Sequence, residues 1–232
     1  MTSPMNLEEV MTILESEGTE QAQKIYRRHG AAGPVFGVSF AVINKLAKKI
    51  KINHDLALEL WATGNHDARQ LAAKIVDPAA MTLTSARSWI KGASDYMTVG
   101  AVAGVVAASP HARRLSEEWR GKRDEWVASA GWLIVAFSAE NPEVFTAAEL
   151  NDLLSQIEAE IHDRPNRVRH EMNQCLITIA LRSKSLQKRA VATARRIGPV
   201  VVDHGETGCK TPEAVGYIEK TVAHRERKLA AG

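Results

Sequence analysis

Apolar residues recur along most of this chain every three or four positions, the spacing that lines one face of an α-helix. After Ser39 they fall at Val42, Ile43, Leu46 and Ile50; from His54 to Thr63 at Leu56, Leu58, Leu60 and Trp61. Asn65 reads as the cap of the next segment, which carries Ala68, Leu71, Ala72 and Ile75 and stops before Pro78. The same reading predicts helices from Leu7 to Glu17, Thr19 to Arg28, Leu83 to Lys91, Ser94 to Ala108, His111 to Gly121 and Lys122 to Ser138. Four more follow, from Ala147 to Ile161, Asn166 to Arg182, Ser185 to Ile197 and Pro212 to Ala230. Asn6 precedes acids in the first turn of the first helix, which suits its positive end. Residues 29–37, rich in Gly and Pro, read as a long turn. No segment alternates with period two; Val200 to Val202, after Gly198 and Pro199, reads as a loop or a short turn.

Many short helices in succession, each with one apolar face, bury those faces by pairing and stacking. The expected spacing of pairs is about 35 to 45 residues, the range of HEAT-type repeats. No strict sequence repeat is visible. The predicted fold is therefore all-α: a right-handed superhelix (solenoid) of degenerate HEAT-like antiparallel helix pairs, one domain over 1–232. An irregular helical bundle is the rival. Leu58 and Leu71 are expected in the core, where an aspartate would unfold the domain.

Composition narrows the class. Aromatics are scarce at 5%, so the core must be Ala, Leu, Ile and Val, which suits close helix packing. The stretch from Met1 to Asn6 has neither a basic start nor an apolar core, so no signal peptide is expected there. The apolar run Val99 to Ala108 is too short to span a bilayer. Cys175 and Cys209 form no disulfide framework. These features point to a cytoplasmic monomer with no membrane contact.

A net charge of +3 says little; its distribution says more. From Asn166 to Gly198 stand Arg167, Arg169, Arg182, Lys184, Lys188, Arg189, Arg195 and Arg196, with His170 beside them and Glu171 as the only acid, a local balance of +7. Lys188, Arg195 and Arg196 are seven and eight apart and share a helical face. Such a face can neutralise backbone phosphates and release counterions. A merely solvated face is the alternative.

Other groupings carry less. His66 and Asp67 are adjacent and point about 100° apart on a helix, which suits capping and bonding between repeats better than a catalytic pair. His204 and Cys209 lack the further ligands of a zinc site, and the turn at Gly205 and Gly208 lacks the Gly-Lys-Ser/Thr of a phosphate loop. No metal and no cofactor are expected.

Three segments resemble the HEAT-like alkylpurine DNA glycosylases of bacteria, the alkylation-repair group typified by AlkD. They are Tyr26 to His29 with Phe36 to Ser39 and Ile43 to Lys48; Leu58 to Ala72; and His204 to Pro212. The second segment is the most specific. The resemblance implies a curved stack of helical repeats whose concave basic face holds duplex DNA. It also implies excision of N3- or N7-alkylated purines, whose positive charge already weakens the glycosidic bond. Trp faces attract the cation, and an Asp, supported by an Arg, stabilises an oxocarbenium-like sugar without flipping the base into a pocket. The chain departs from this pattern. The aromatic-to-Asp motif falls at Asp95 to Gly100, with Tyr96 in place of the Trp and Gly100 in place of the catalytic Asp. The Trp-x-x-Arg motif falls at Trp126 to Ser129, leaving Ser for Arg, and the later Trp falls near Asn173 and Gln174.

The expected partner is therefore double-stranded DNA, alkylated or distorted, contacted through Arg167, Arg169, Lys184, Lys188, Arg189, Arg195 and Arg196. Glycosylase activity is expected to be weak, altered or absent. Asp95, Tyr96 and Trp126 are the catalytic candidates, although Asp95 reads better as an acid beside a Ser94 cap. A non-enzymatic scaffold for a protein partner or for branched DNA is the alternative.

Overall fold

The computed structural model describes residues 5–230. Among them are thirteen α-helices and no strand: α1 Leu7–Ser16, α2 Glu20–Arg28, α3 Phe40–Ile50, α4 His54–Ala62, α5 His66–Ile75, α6 Leu83–Gly92, α7 Tyr96–Ala107, α8 Ala112–Arg120, α9 Glu125–Ser138, α10 Ala147–Glu160, α11 Asn166–Ala180, α12 Lys184–Ile197 and α13 Ala214–Ala230. Most starts carry the cap that polar residues before apolar runs predict. Asn6 and Thr146 form reciprocal capping boxes with Glu9 and Glu149, and Asn65 accepts the N–H groups of Asp67 and Ala68. Three starts fall two or three residues later than expected, among them α13 at Ala214 in place of Pro212. Asp95 itself, not Ser94, caps α7, and Asp124 caps α9. Val200 to Val202 form no regular structure, and Val201 is exposed.

The chain divides into two compact units, residues 1–111 and 112–232. In the first, α4 packs on α5 and α6 on α7, while α3, α5 and α7 stack in succession. These pairs are shorter than expected, since α4, α6 and α8 begin at His54, Leu83 and Ala112. Leu71, Ala72 and Ile75 are fully buried as the periodicity requires; Leu58 is only half-buried, a correction to its expected core position. Burial goes instead to Leu56 and Leu60, because α4 turns 58 toward its edge.

Polar side chains of α5 lock this unit. The buried Asp67 carboxylate accepts the N–H groups of Phe36, Gly37 and Val38 at 2.7, 3.1 and 2.8 Å, and so ties down a loop that has no sheet to pair with. That loop meets Gly18 in an isolated antiparallel bridge with Val38. A Cβ at Gly18 would lie 2.2 Å from the Phe36 oxygen, so only glycine fits. Arg69 donates to the Gly92 carbonyl at 2.7 Å and lies over Trp61, which stacks on Trp89 at 4.2 Å. Asp67 and Arg69 are thus structural, as the adjacent-residue geometry predicts.

In the second unit α8 packs on α9, α10 on α11 and α12 on α13, with α9, α11 and α13 stacked in turn and α10 on α12. Its core runs from Ala128 and Trp132 through Leu154, Met172 and Ile177 to Ile218. Helix α11 follows Pro165 and has no side-chain cap of its own. The Glu125 carboxylate at the start of α9 supplies one, accepting the Arg167 N–H at 2.6 Å. At the other end Arg182 donates to the carbonyls of Ala139 and Phe145. Two contacts at matching ends make α9 and α11 run parallel, as like members of stacked pairs must.

Candidate nucleic-acid interface

Asp95 is buried, only 2% exposed. Its Oδ1 accepts the N–H groups of Met97 and Thr98, and its Oδ2 accepts the Thr98 hydroxyl at 2.7 Å. His66 Nε2 stands 3.8 Å from Oδ1. Burial opposes the charge, but the nearby His66 ring and the bonds from Thr98 win and hold the carboxyl below the usual range. This carboxylate is a helix cap turned inward.

The outward face of α7 is different. Tyr96, Gly100 and Gly104 follow at four-residue steps, all half-exposed. Tyr96 meets the His29 ring edge-on at 5.5 Å. A Cβ at Gly100 would meet nothing within 4 Å. Position 100 therefore opens onto free space and offers no functional group to it.

On α9, Trp126 is half-exposed while Trp132 is fully buried beneath the Arg120 guanidinium, 5.1 Å from its ring. The pair divides between surface and core, as six-residue spacing demands. Ser129 is buried, and its hydroxyl has no hydrogen-bond partner. Asn173 is buried and donates to the Pro212 carbonyl, which fastens the 204–212 loop to α11. His170 meets His204 edge-on at 5.3 Å, and His204 bonds the Thr211 hydroxyl. Burial, then the Arg167 and His204 charges, lowers His170 to about 4. Burial also raises Glu171 to about 7, although Arg167 pairs with it at 2.9 Å.

The basic residues separate into two groups. Arg167 is turned to Glu171, and Arg189 and Arg196 converge on Glu158 of α10 at 3.5 and 2.8 Å. The bond and charge of Arg196 hold Glu158 down at about 2. Lys184, Lys188 and Arg195 are exposed, and they share one face of α12 at four- and seven-residue steps. Arg169 on α11 is half-buried. The local count of +7 left out Glu158, which lies outside the counted stretch and meets two of its cations. Among the described residues no group of His, Cys, Asp and Glu is placed to hold a metal, and no helix is long and apolar enough to cross a membrane.

A second basic surface lies outside that stretch. Residues 21–54 hold Lys24, Arg27, Arg28, Lys45, Lys48, Lys49 and Lys51 and no acid, a signal present in the sequence but spread across a Gly/Pro turn.

The family model described as "DNA alkylation repair enzyme" matches residues 10–218. The chain belongs to this DNA alkylation repair family. A solved structure, described as a new family of proteins related to the HEAT-like repeat DNA glycosylases with affinity for branched DNA structures, superposes with a TM-score of 0.87. It is 35% identical, over 95% of each chain. Uncharacterised proteins of Listeria innocua and Listeria monocytogenes are each 27% identical over 93% of this chain and 97% of their own length. The all-helical, HEAT-like repeat fold expected from periodicity is the fold of this family member.

Proposed function

We propose that this alkylation-repair family member binds DNA, with a preference for branched or distorted structures, and that it releases alkylated purines weakly or not at all. The observation that carries the reading is at α7. Gly100 stands where the resemblance puts the catalytic carboxylate, facing open space with no side chain. The nearby Asp95 cannot take its place, because its oxygens are bound inside the protein. Ser129, in the place of the supporting Arg, is likewise short and buried. The affinity for branched DNA described for the 35% identical structure supports the choice of ligand. Lys184, Lys188 and Arg195 are the contacts proposed from the basic stretch. Phosphate contacts position the protein without reading sequence.

The test pairs two assays. Binding to a four-way junction and to a plain duplex is titrated against salt, and base release is followed from a duplex carrying one N7-methylguanine or N3-methyladenine. The reading expects tighter junction binding and release at the spontaneous rate. Release well above that rate would overturn the catalytic half; absence of binding to either DNA would overturn the whole and favour the protein scaffold. That second reading draws on the outward face of α9, where half-exposed Trp126 and Leu133 line up with Phe137, 56% exposed.

A further inference from the structure

The first unit carries a cationic face that the basic stretch of the second does not account for. Helix α3 buries Ile43 and Leu46. Lys45, Lys48 and Lys49 project from the opposite side, within an arc of about 100°, and all three are exposed. Lys51, exposed at the helix end, extends the set. Among the described residues no carboxylate lies within ion-pairing distance of these four lysines, and the 34-residue stretch 21–54 supplies none from its own sequence. Lys24, by contrast, meets Glu20 at 3.8 Å.

Lys51 adds an independent sign. Its backbone sits at φ 64°, ψ −160°, a region that belongs almost entirely to glycine. It is the only non-glycine residue with positive φ among those described. Helix α12 ends in the same geometry, φ 71° and ψ −157°, and there the residue is Gly198. The two helix ends solve the same turn, one with the residue that fits and one with a lysine held under strain. Macrodipole complementarity does not require Lys51 to bear that strain, since Lys48 and Lys49 already fill the last turn. Such strain persists only where the surrounding structure holds it, and an outlier of this kind points to a functional reason for keeping lysine here.

We infer that Lys45, Lys48, Lys49 and Lys51 form a second phosphate-binding surface, which takes the backbone of a nucleic-acid strand. The occupant follows from charge. A row of ammonium groups without acids suits a linear polyanion and repels basic partners. The inference rests on the DNA-binding reading above and adds to it a contact surface on a different unit.

The test uses the full chain, a four-way junction and a duplex, each titrated with salt. The triple variant Lys45→Glu, Lys48→Glu, Lys49→Glu is expected to weaken junction binding at least tenfold at low salt and to flatten the salt dependence, with the helical circular-dichroism signal unchanged. Lys51→Gly is the decisive variant. It relieves the strained backbone, so its Tm is expected to rise while its junction affinity falls several-fold. A rise in Tm with unchanged affinity would overturn the role of Lys51. Wild-type DNA binding with both variants unaffected would overturn the surface and leave the proposed function standing; no wild-type DNA binding would overturn both. Loss of binding to vesicles rich in anionic lipid, with DNA binding intact, would reassign the surface to membranes and overturn the inference.

Discussion

His170 and Glu171 are neighbours on α11, and burial moves their pKa values in opposite directions. Glu171 rises from 4.5 to about 7, so folding favours its neutral form. Its stabilising contribution is complete below pH 4.5 and is lost as pH rises through 7. A rise of that size is worth about 3 kcal/mol for a carboxyl this deeply buried. His170 falls from 6.5 to about 4, so folding favours its neutral form as well. Its contribution is complete above pH 6.5 and is lost as pH falls through 4. The ring is partly open to solvent, and screening trims its share to about 2 kcal/mol. The windows overlap between pH 4.5 and 6.5 with opposite sign, so the two effects largely cancel there. Arg167 and His204 face the pair and stay in place in both variants, although Glu171→Gln takes the ionic partner from Arg167. Glu171→Gln removes the gain on acidification, and the variant should lose about 3 kcal/mol relative to wild type between pH 7.5 and 4.5. His170→Asn should gain about 2 kcal/mol relative to wild type over the same interval. Urea unfolding at half-unit pH steps gives these differences directly. Variant curves that stay parallel to wild type would refute the burial argument at both residues.

Further outcomes follow from other contacts. Asp67→Ala strands three buried N–H donors and should cost about 4 kcal/mol in urea unfolding; a loss below about 1 kcal/mol would mean that the 36–38 loop is held some other way. Leu71→Asp should abolish cooperative unfolding, whereas Leu58→Asp, at a half-buried site, should leave a folded protein with a lowered Tm. Reversing charge at Lys184, Lys188 and Arg195 should reduce the slope of log affinity against log salt by about 1 to 3 without changing helicity, and an unchanged slope would remove α12 from the interface. Gly100→Asp meets no obstacle and should fold normally, and release of N7-methylguanine above the wild-type rate would mark position 100 as the missing chemical group. Unchanged release would refute that assignment.

What the sequence determined by itself is local. Apolar spacing and capping residues place all thirteen helices within a few residues, because a helix start is written in residues three or four apart: Asn6 with Glu9, Ser39 before Val42, Asn65 before Ala68. The family resemblance was legible in Leu58 to Ala72, whose Asp67 and Arg69 hold one helix to distant backbone. The tertiary structure decided which charges are free. Arg189 and Arg196 look available along the chain, yet Glu158 meets both from a helix more than thirty residues away. Asp95 reads along the chain as a helix-start acid beside a serine cap, yet it is itself the cap, and α5 brings His66 against it and buries both. The α3 lysines, split from their basic neighbours by a turn, gain meaning only when the helix shows them on one face with no acid opposite. Ionic partners and burial depend on residues far apart in sequence, and no short-range pattern records them.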